Sequence, residues 1–308
     1  MNYKKDLFIH CGYPKTGTTT LQRHLFPKHP EIYYWGKAVP GYSFRSAAVQ
    51  KALDDLTLLP DPLFNPVPVE CRNPDLISVI STESLIHPIA YDVFAVPGRL
   101  QKIFGDAKII ITIRNQAEIL SSYYMNYGRY GEHFFKIGGT GNGVFMESFS
   151  AWLRSQDACR WKNLLGLLNY DLVIQAYEKV FGDVLVLVYE EFREAPENFM
   201  IKLSNFLGVD AGKSVALMSG KHENRSLSLA GRYYSKMRQL AARASIALPD
   251  IGTLSMRIFS PLFSNPATLC HQDTVLTEII QTFAAGNTLL ADKYNLPLKR
   301  FFYPMIEG

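Results

Sequence analysis

Between the apolar run Leu7-Phe8-Ile9-His10-Cys11 and the stretch Thr18 to Phe26 lies Gly12-Tyr13-Pro14-Lys15-Thr16-Gly17-Thr18-Thr19. The run is short, nearly unbroken and ended by Gly12, Pro14 and Gly17, which predicts a strand covered on both faces, as in a parallel sheet. Thr18 to Phe26 predicts a helix, stopped by Pro27. Strand, tight loop and helix in this order form a cradle for an anion. The first-turn amides of a helix have no intrahelical partner, and the helix dipole favours negative charge there. Glycines let the backbone curl around the oxygens. Thr18 and Thr19 add hydroxyl donors, and Lys15 adds a positive charge.

The rest of the chain agrees with that beginning. Further strands are predicted at Leu76 to Ile80, Lys108 to Ile113 and Val184 to Tyr189. A helix is predicted from Gln116 to about Tyr127. Another starts at Pro196, where a first-turn proline belongs, and closes at Leu207 before Gly208. Strands alternating with helices imply an α/β fold: a doubly wound parallel sheet with helices on both faces and a P-loop-like phosphate-binding loop. Asp61 to Pro74 and the glycine-rich Gly138 to Gly143 read as loops. A single domain over residues 1–308 is expected, mostly helical and more basic from Lys221 onward.

Composition bounds the partners. Hydrophobic residues make up 47% and charged residues 19%, enough for a packed core, and the net charge is +4. That mild excess suits an anionic ligand and falls short of a nucleic-acid signature, so no nucleic acid is expected. Cys11, Cys71, Cys159 and Cys270 lie far apart without CxxC spacing, so reduced thiols and no metal are expected. Met1 to Asp6 holds no apolar leader, and no run approaches ~18 apolar residues. A cytoplasmic location is the expectation.

The loop is close to the nucleotide-triphosphatase pattern G-x-x-x-x-G-K-[ST]. Gly12 and Gly17 have its spacing, but Thr18 stands where its lysine belongs, and the lysine is Lys15, inside the loop. The string Pro14 to Gln22, PKTGTTTLQ, resembles instead the 5′-phosphosulfate loop of sulfotransferases that use 3′-phosphoadenylyl sulfate (PAPS), P-K-[ST]-G-T-T. The resemblance implies that Lys15 contacts the oxygen bridging phosphate and sulfate, and that Thr16, Gly17, Thr18 and Thr19 bind the 5′-phosphate. Thr20 stands where cytosolic members often carry an adenine-stacking tryptophan; Tyr33, Tyr34 and Trp35 are other candidates.

The strand Lys108 to Ile113 is followed by Arg114, with Ser122 eight residues beyond it. A guanidinium fork matches phosphate geometry. Strand C-terminal ends line the ligand crevice of open α/β sheets. In the same family an arginine and a serine at these places bind the 3′-phosphate. Val184 to Phe192, VLVLVYEEF, with the helix ending Phe206-Leu207-Gly208, is a further likeness that reads as structural. Lys221-His222-Glu223-Asn224-Arg225-Ser226 reads as a polar turn or a loop closing over the donor.

Sulfuryl transfer, like phosphoryl transfer, passes through a loose transition state whose charge builds on the leaving oxygen. A lysine and backbone amides can stabilise that charge without a metal. An acceptor hydroxyl benefits from a general base. Glu83, just past the second predicted strand, is the candidate, and His87 the second choice. His10 reads as a core histidine. Tyr123, Tyr124, Tyr127 and Tyr130 read as core or as an acceptor platform. Six basic residues against one acid between Lys221 and Arg243 read as a solvated face, or as contact with an anionic glycan or a membrane surface. The expected activity is transfer of a sulfuryl group from PAPS to a hydroxyl or amine, the resemblance favouring a carbohydrate or glycolipid acceptor. The alternatives are a P-loop kinase or NTPase, and a non-catalytic nucleotide-binding protein.

Overall fold

A computed structural model describes residues 6–36, 46–60, 65–67, 73, 75–87, 90, 92–130, 148–158, 164–221 and 273–306, without the side chains of 125–130 and 157–158. The chain divides into two compact units. The first comprises 1–114, 169–224 and 286–302; the second comprises 115–168, 225–285 and 303–308.

The first unit holds β1 (Leu7–His10), α1 (Thr18–Thr20) continuing as a π-helical turn (Leu21–Leu25), β2 (Ile32–Tyr34), α2 (Ala47–Leu58) and β3 (Ile77–Ser81). A 3₁₀ turn (Glu83–Ile86), α3 (Val96–Phe104) and β4 (Lys108–Ile113) follow. The strands form one parallel sheet in the order β2-β3-β1-β4-β5, where β5 is Val184–Val188. β1, β3, β4 and β5 are rich in Ile, Val or Leu and largely buried, as a parallel sheet requires. On one face Phe8, Val79, Ile110 and Leu187 pack with Leu21, Leu25, Phe26, Phe199 and Leu203. The helices supplying that layer are α1 with its π turn, α9 (Pro196–Leu207) and α10 (Ala211–Met218). The other face is covered by α7 (Tyr170–Phe181), with α3 packed on it. The expected doubly wound α/β fold is the one observed.

The second unit contains α4 (Gln116–Tyr130), α5 (Phe149–Ala158), α6 (Leu164–Leu167) and α11 (Thr274–Gln281). Asn115 Oδ1 accepts from the amides of Ala117 and Glu118 at 2.9 and 3.4 Å and so starts α4. Asp273 does the same for α11, accepting from Val275 and Leu276 at 2.9 and 3.2 Å, and receives the Ser150 hydroxyl from α5. Tyr124 packs against Phe149 and Trp152, and Tyr123 is buried. These two tyrosines serve core packing. The side chains of Tyr127 and Tyr130 lie outside the described residues, as do Gly138–Gly143, residues 222–272, Cys71, Cys159 and Cys270. Among the described residues no helix is long and apolar enough to cross a membrane, and no group of three potential metal ligands occurs.

Predicted and observed strands differ at their ends. β3 runs one residue later than expected, and β5 stops at Val188 because Tyr189 opens the short helix α8 (Tyr189–Glu194). The short edge strand β2 and the helices α2 and α3 are additions to the reading of the sequence. Pro196 and Gly208 bound α9 as expected, the glycine at φ 71° and ψ 34°.

Candidate active site

The strand order makes β1 central, with β3 on one side and β4 on the other. The chain leaves β1 towards β2 and β3 and only later reaches β4 and β5, so the order reverses between β1 and β4. Ligands of open α/β sheets bind outside the strand C-termini at such a switch point. The Gly12–Thr19 loop leaves β1 there, and Arg114 leaves β4 there.

Two residues of the loop take left-handed backbone conformations, Lys15 at φ 73° and Gly17 at φ 80°. Only glycine adopts this region freely, so Lys15 holds strain that its surroundings must balance. Arg114 supplies one balancing contact: its Nη1 donates to the Lys15 carbonyl at 2.9 Å. Thr16 supplies another inside the loop, its buried hydroxyl donating to the Tyr13 carbonyl at 2.5 Å. The Thr16 hydroxyl therefore shapes the loop, and the contribution left to it for an anion is its amide. Thr19, half-buried, lies in the first turn of α1 with Thr18.

Gly17 has a second requirement. A Cβ there would lie 2.9 Å from Phe192 Cε1 and 3.3 Å from Tyr189 Cε2. Gly17→Ala combines that clash with left-handed strain of about 1–2 kcal/mol. With PAPS as the donor that the loop's resemblance implies, the expected result is a loss of affinity for its desulfated product, 3′-phosphoadenosine 5′-phosphate (PAP), of roughly 5- to 30-fold, the same energy expressed as an equilibrium ratio. Gly208→Ala is the control: its φ is also positive, with nothing within 4 Å of the added methyl. It should cost stability and leave the PAP Kd unchanged in calorimetry.

Arg114 is fixed from two directions. Its guanidinium lies over the Tyr189 ring, 4.8 Å from the centroid. The Tyr170 hydroxyl donates to the Arg114 carbonyl at 2.5 Å. Burial, and after it the Glu190 carboxylate, push that hydroxyl well above the ordinary tyrosine range, which keeps it a neutral donor. Glu190 is itself buried. Tyr189 thus lies against both Arg114 and Gly17, and Phe192 against Gly17. No local pattern in VLVLVYEEF announces that, because the contacts span more than 70 residues of chain.

Glu83 opens the 3₁₀ turn after β3 and is half-buried. Its Oε2 accepts from the Thr18 hydroxyl at 3.2 Å. Lys15, Thr16, Gly17, Thr18, Thr19, Glu83 and Arg114 therefore all belong to one end of the sheet. His87 ends the same turn in extended backbone. Ser122 is buried on α4 in the second unit, so its link to Arg114 is a spacing along the chain. Trp35 donates from Nε1 to the Ser78 hydroxyl at 3.2 Å and packs edge-on against Tyr33, while Tyr34 is buried against Phe26. Cys11 is buried, its thiol pushed up to about 12 by desolvation, which makes it unreactive.

No family model matches the chain, and no curated protein matches it. Solved structures do align with it. A sulfotransferase from Alicyclobacillus acidocaldarius matches at 20% identity and a TM-score of 0.44, over 82% of this chain and 99% of the other. A mouse sulfotransferase complexed with PAP matches at 17% identity and 0.41, over 97% and 82%. The sulfotransferase domain of an olefin synthase from Synechococcus PCC 7002 matches at 14% and 0.40, over 87% and 95%. These three solved proteins, to which the chain is similar, are sulfotransferases.

Proposed function

We propose that this chain transfers a sulfuryl group from PAPS to an acceptor hydroxyl or amine. The observation that carries the reading is the 2.9 Å bond from Arg114 to the Lys15 carbonyl. It joins the loop after β1 to the arginine after β4, 99 residues apart, at one end of the sheet. The loop suits a 5′-phosphosulfate and the arginine a second phosphate, and a 3′-phosphate is what separates PAPS from ATP. In this reading Thr16 to Thr19 hold the 5′-phosphate and Arg114 and Ser122 the 3′-phosphate.

Transfer proceeds in line. Glu83 takes the proton of the acceptor group as its oxygen or nitrogen bonds to sulfur. The bond from sulfur to the bridging oxygen breaks, and PAP leaves. The Lys15 ammonium and the loop amides stabilise the charge on the leaving phosphate oxygen. The acceptor we favour is a carbohydrate or glycolipid, on the strength of the loop's resemblance, with the enzyme in the cytoplasm and in peripheral contact with a membrane when the acceptor is a lipid.

Calorimetric titration with PAP, ATP and ATP with Mg²⁺ tests the reading. PAP is expected to bind tightly, with the same Kd in the presence of a chelator. A preference for Mg-ATP would replace the sulfotransferase reading with a kinase or NTPase. PAP binding without turnover on any acceptor presented with labelled PAPS would favour a non-catalytic binding protein.

A further inference from the structure

The imidazole of His10 lies under the phosphate loop, completely buried, and the chemistry above does not use it. Its Nδ1 is 2.8 Å from Ser81 Oγ on β3, and its Nε2 is 3.3 Å from Thr112 Oγ1 on β4. Gln22, on the π turn after the loop, donates to the same Ser81 hydroxyl at 3.1 Å. A Cβ on Gly12 would sit 3.0 Å from His10 Nε2 and 2.4 Å from Thr18 Cγ2, so ring and loop are in direct contact.

The positions of these residues along their strands are informative. Gly12 lies two residues after His10, Glu83 two after Ser81, and Arg114 two after Thr112. The start of the loop, Glu83 and Arg114 thus each lie two residues beyond a member of one hydrogen-bonded group. We propose that His10 is a positioning residue for the donor site: it fixes the loop, Glu83 and Arg114 relative to one another by bridging the ends of β1, β3 and β4. This rests on the donor reading given above.

The chemistry of the bridge is that of a neutral ring. Burial drives the His10 imidazole down to about 3, so it carries no charge at working pH. A neutral imidazole presents one donor and one acceptor, which suits a bridge between two hydroxyls. A leucine of similar size fills the space and makes neither bond. Reacting groups displaced by about 1 Å can lose on the order of 100-fold in rate.

The test measures PAP affinity by calorimetry, KM for PAPS and kcat, and thermal unfolding, for wild type, His10→Leu, His10→Asn, His10→Gln and Ser81→Ala. His10→Leu should weaken PAP binding by about tenfold or more and raise KM for PAPS. Ser81→Ala, which leaves β1 untouched, should weaken it in the same direction. His10→Asn or His10→Gln, each able to replace one ring nitrogen, should recover part of the loss. A folded His10→Leu or Ser81→Ala protein that binds PAP like wild type overturns the proposal. So does loss of thermal stability in the variants with the PAP Kd unchanged. Failure of the wild-type chain to bind PAP would instead overturn the donor reading, and this inference with it.

Discussion

Glu83→Gln is expected to lower turnover by roughly 100- to 10,000-fold, the range for removing a positioned general base. The PAP Kd should change little. The amide is nearly the shape of the carboxylate, and its Oε1 can still accept the Thr18 hydroxyl that Glu83 accepts at 3.2 Å. Affinity and rate should therefore separate. Steady-state kinetics at saturating acceptor beside calorimetry with PAP would show the split. Unchanged turnover removes Glu83 as the base and turns attention to His87, at the far end of the same turn. Equal losses in affinity and rate would mean that the carboxylate serves the loop and not the proton.

The second large effect is expected at Arg114. Hydrogen bonds to charged groups contribute about 1.5–3 kcal/mol, so Arg114→Ala should weaken PAP by roughly 10- to 150-fold. Adenosine 5′-phosphate, which lacks the 3′-phosphate, should lose less. What it forfeits is the bond that holds the Lys15 carbonyl. Arg114→Lys keeps the charge but loses the planar fork and the stacking over Tyr189, and should recover only part of the affinity. Equal losses for the two ligands would make Arg114 a brace for the loop alone. No loss for either would remove it from the site.

Much of this was legible in the chain because the informative segments are local. β4 has the bounds that its apolar run predicts, and the loop sits between a strand and a helix as its glycines and proline require. β2 was not legible: three residues between Pro30 and Gly36 are too few for a period to show. α2 did leave a signal, Ser46 as cap before Val49, Leu53 and Leu56 at helical spacing. The end of β5 differs from the expected one because Tyr189 continues its apolar pattern, whereas in the fold it opens α8 with its ring against the Arg114 guanidinium. The support for the site was the hardest to see. Tyr170, Ser81 and Gln22 contribute through contacts across the fold, and nothing beside them in sequence marks their partners.

The central place of β1 also bears on how the chain is built during synthesis. β1 is the first of the five strands to leave the ribosome, yet it pairs with β3 and β4 and not with β2. His10 waits 71 residues for Ser81 and 102 for Thr112. At about 5–20 residues per second, the wait is roughly 4–14 s for the first and 5–20 s for the second. Until then the apolar β1 has open edges and no partner strand, the interval in which a nascent parallel sheet is exposed to aggregation. The loop gains its last supports only when Tyr189 and Phe192 emerge. A pause in translation before that point would lengthen the exposure of the very strand that carries the Gly12–Thr19 loop.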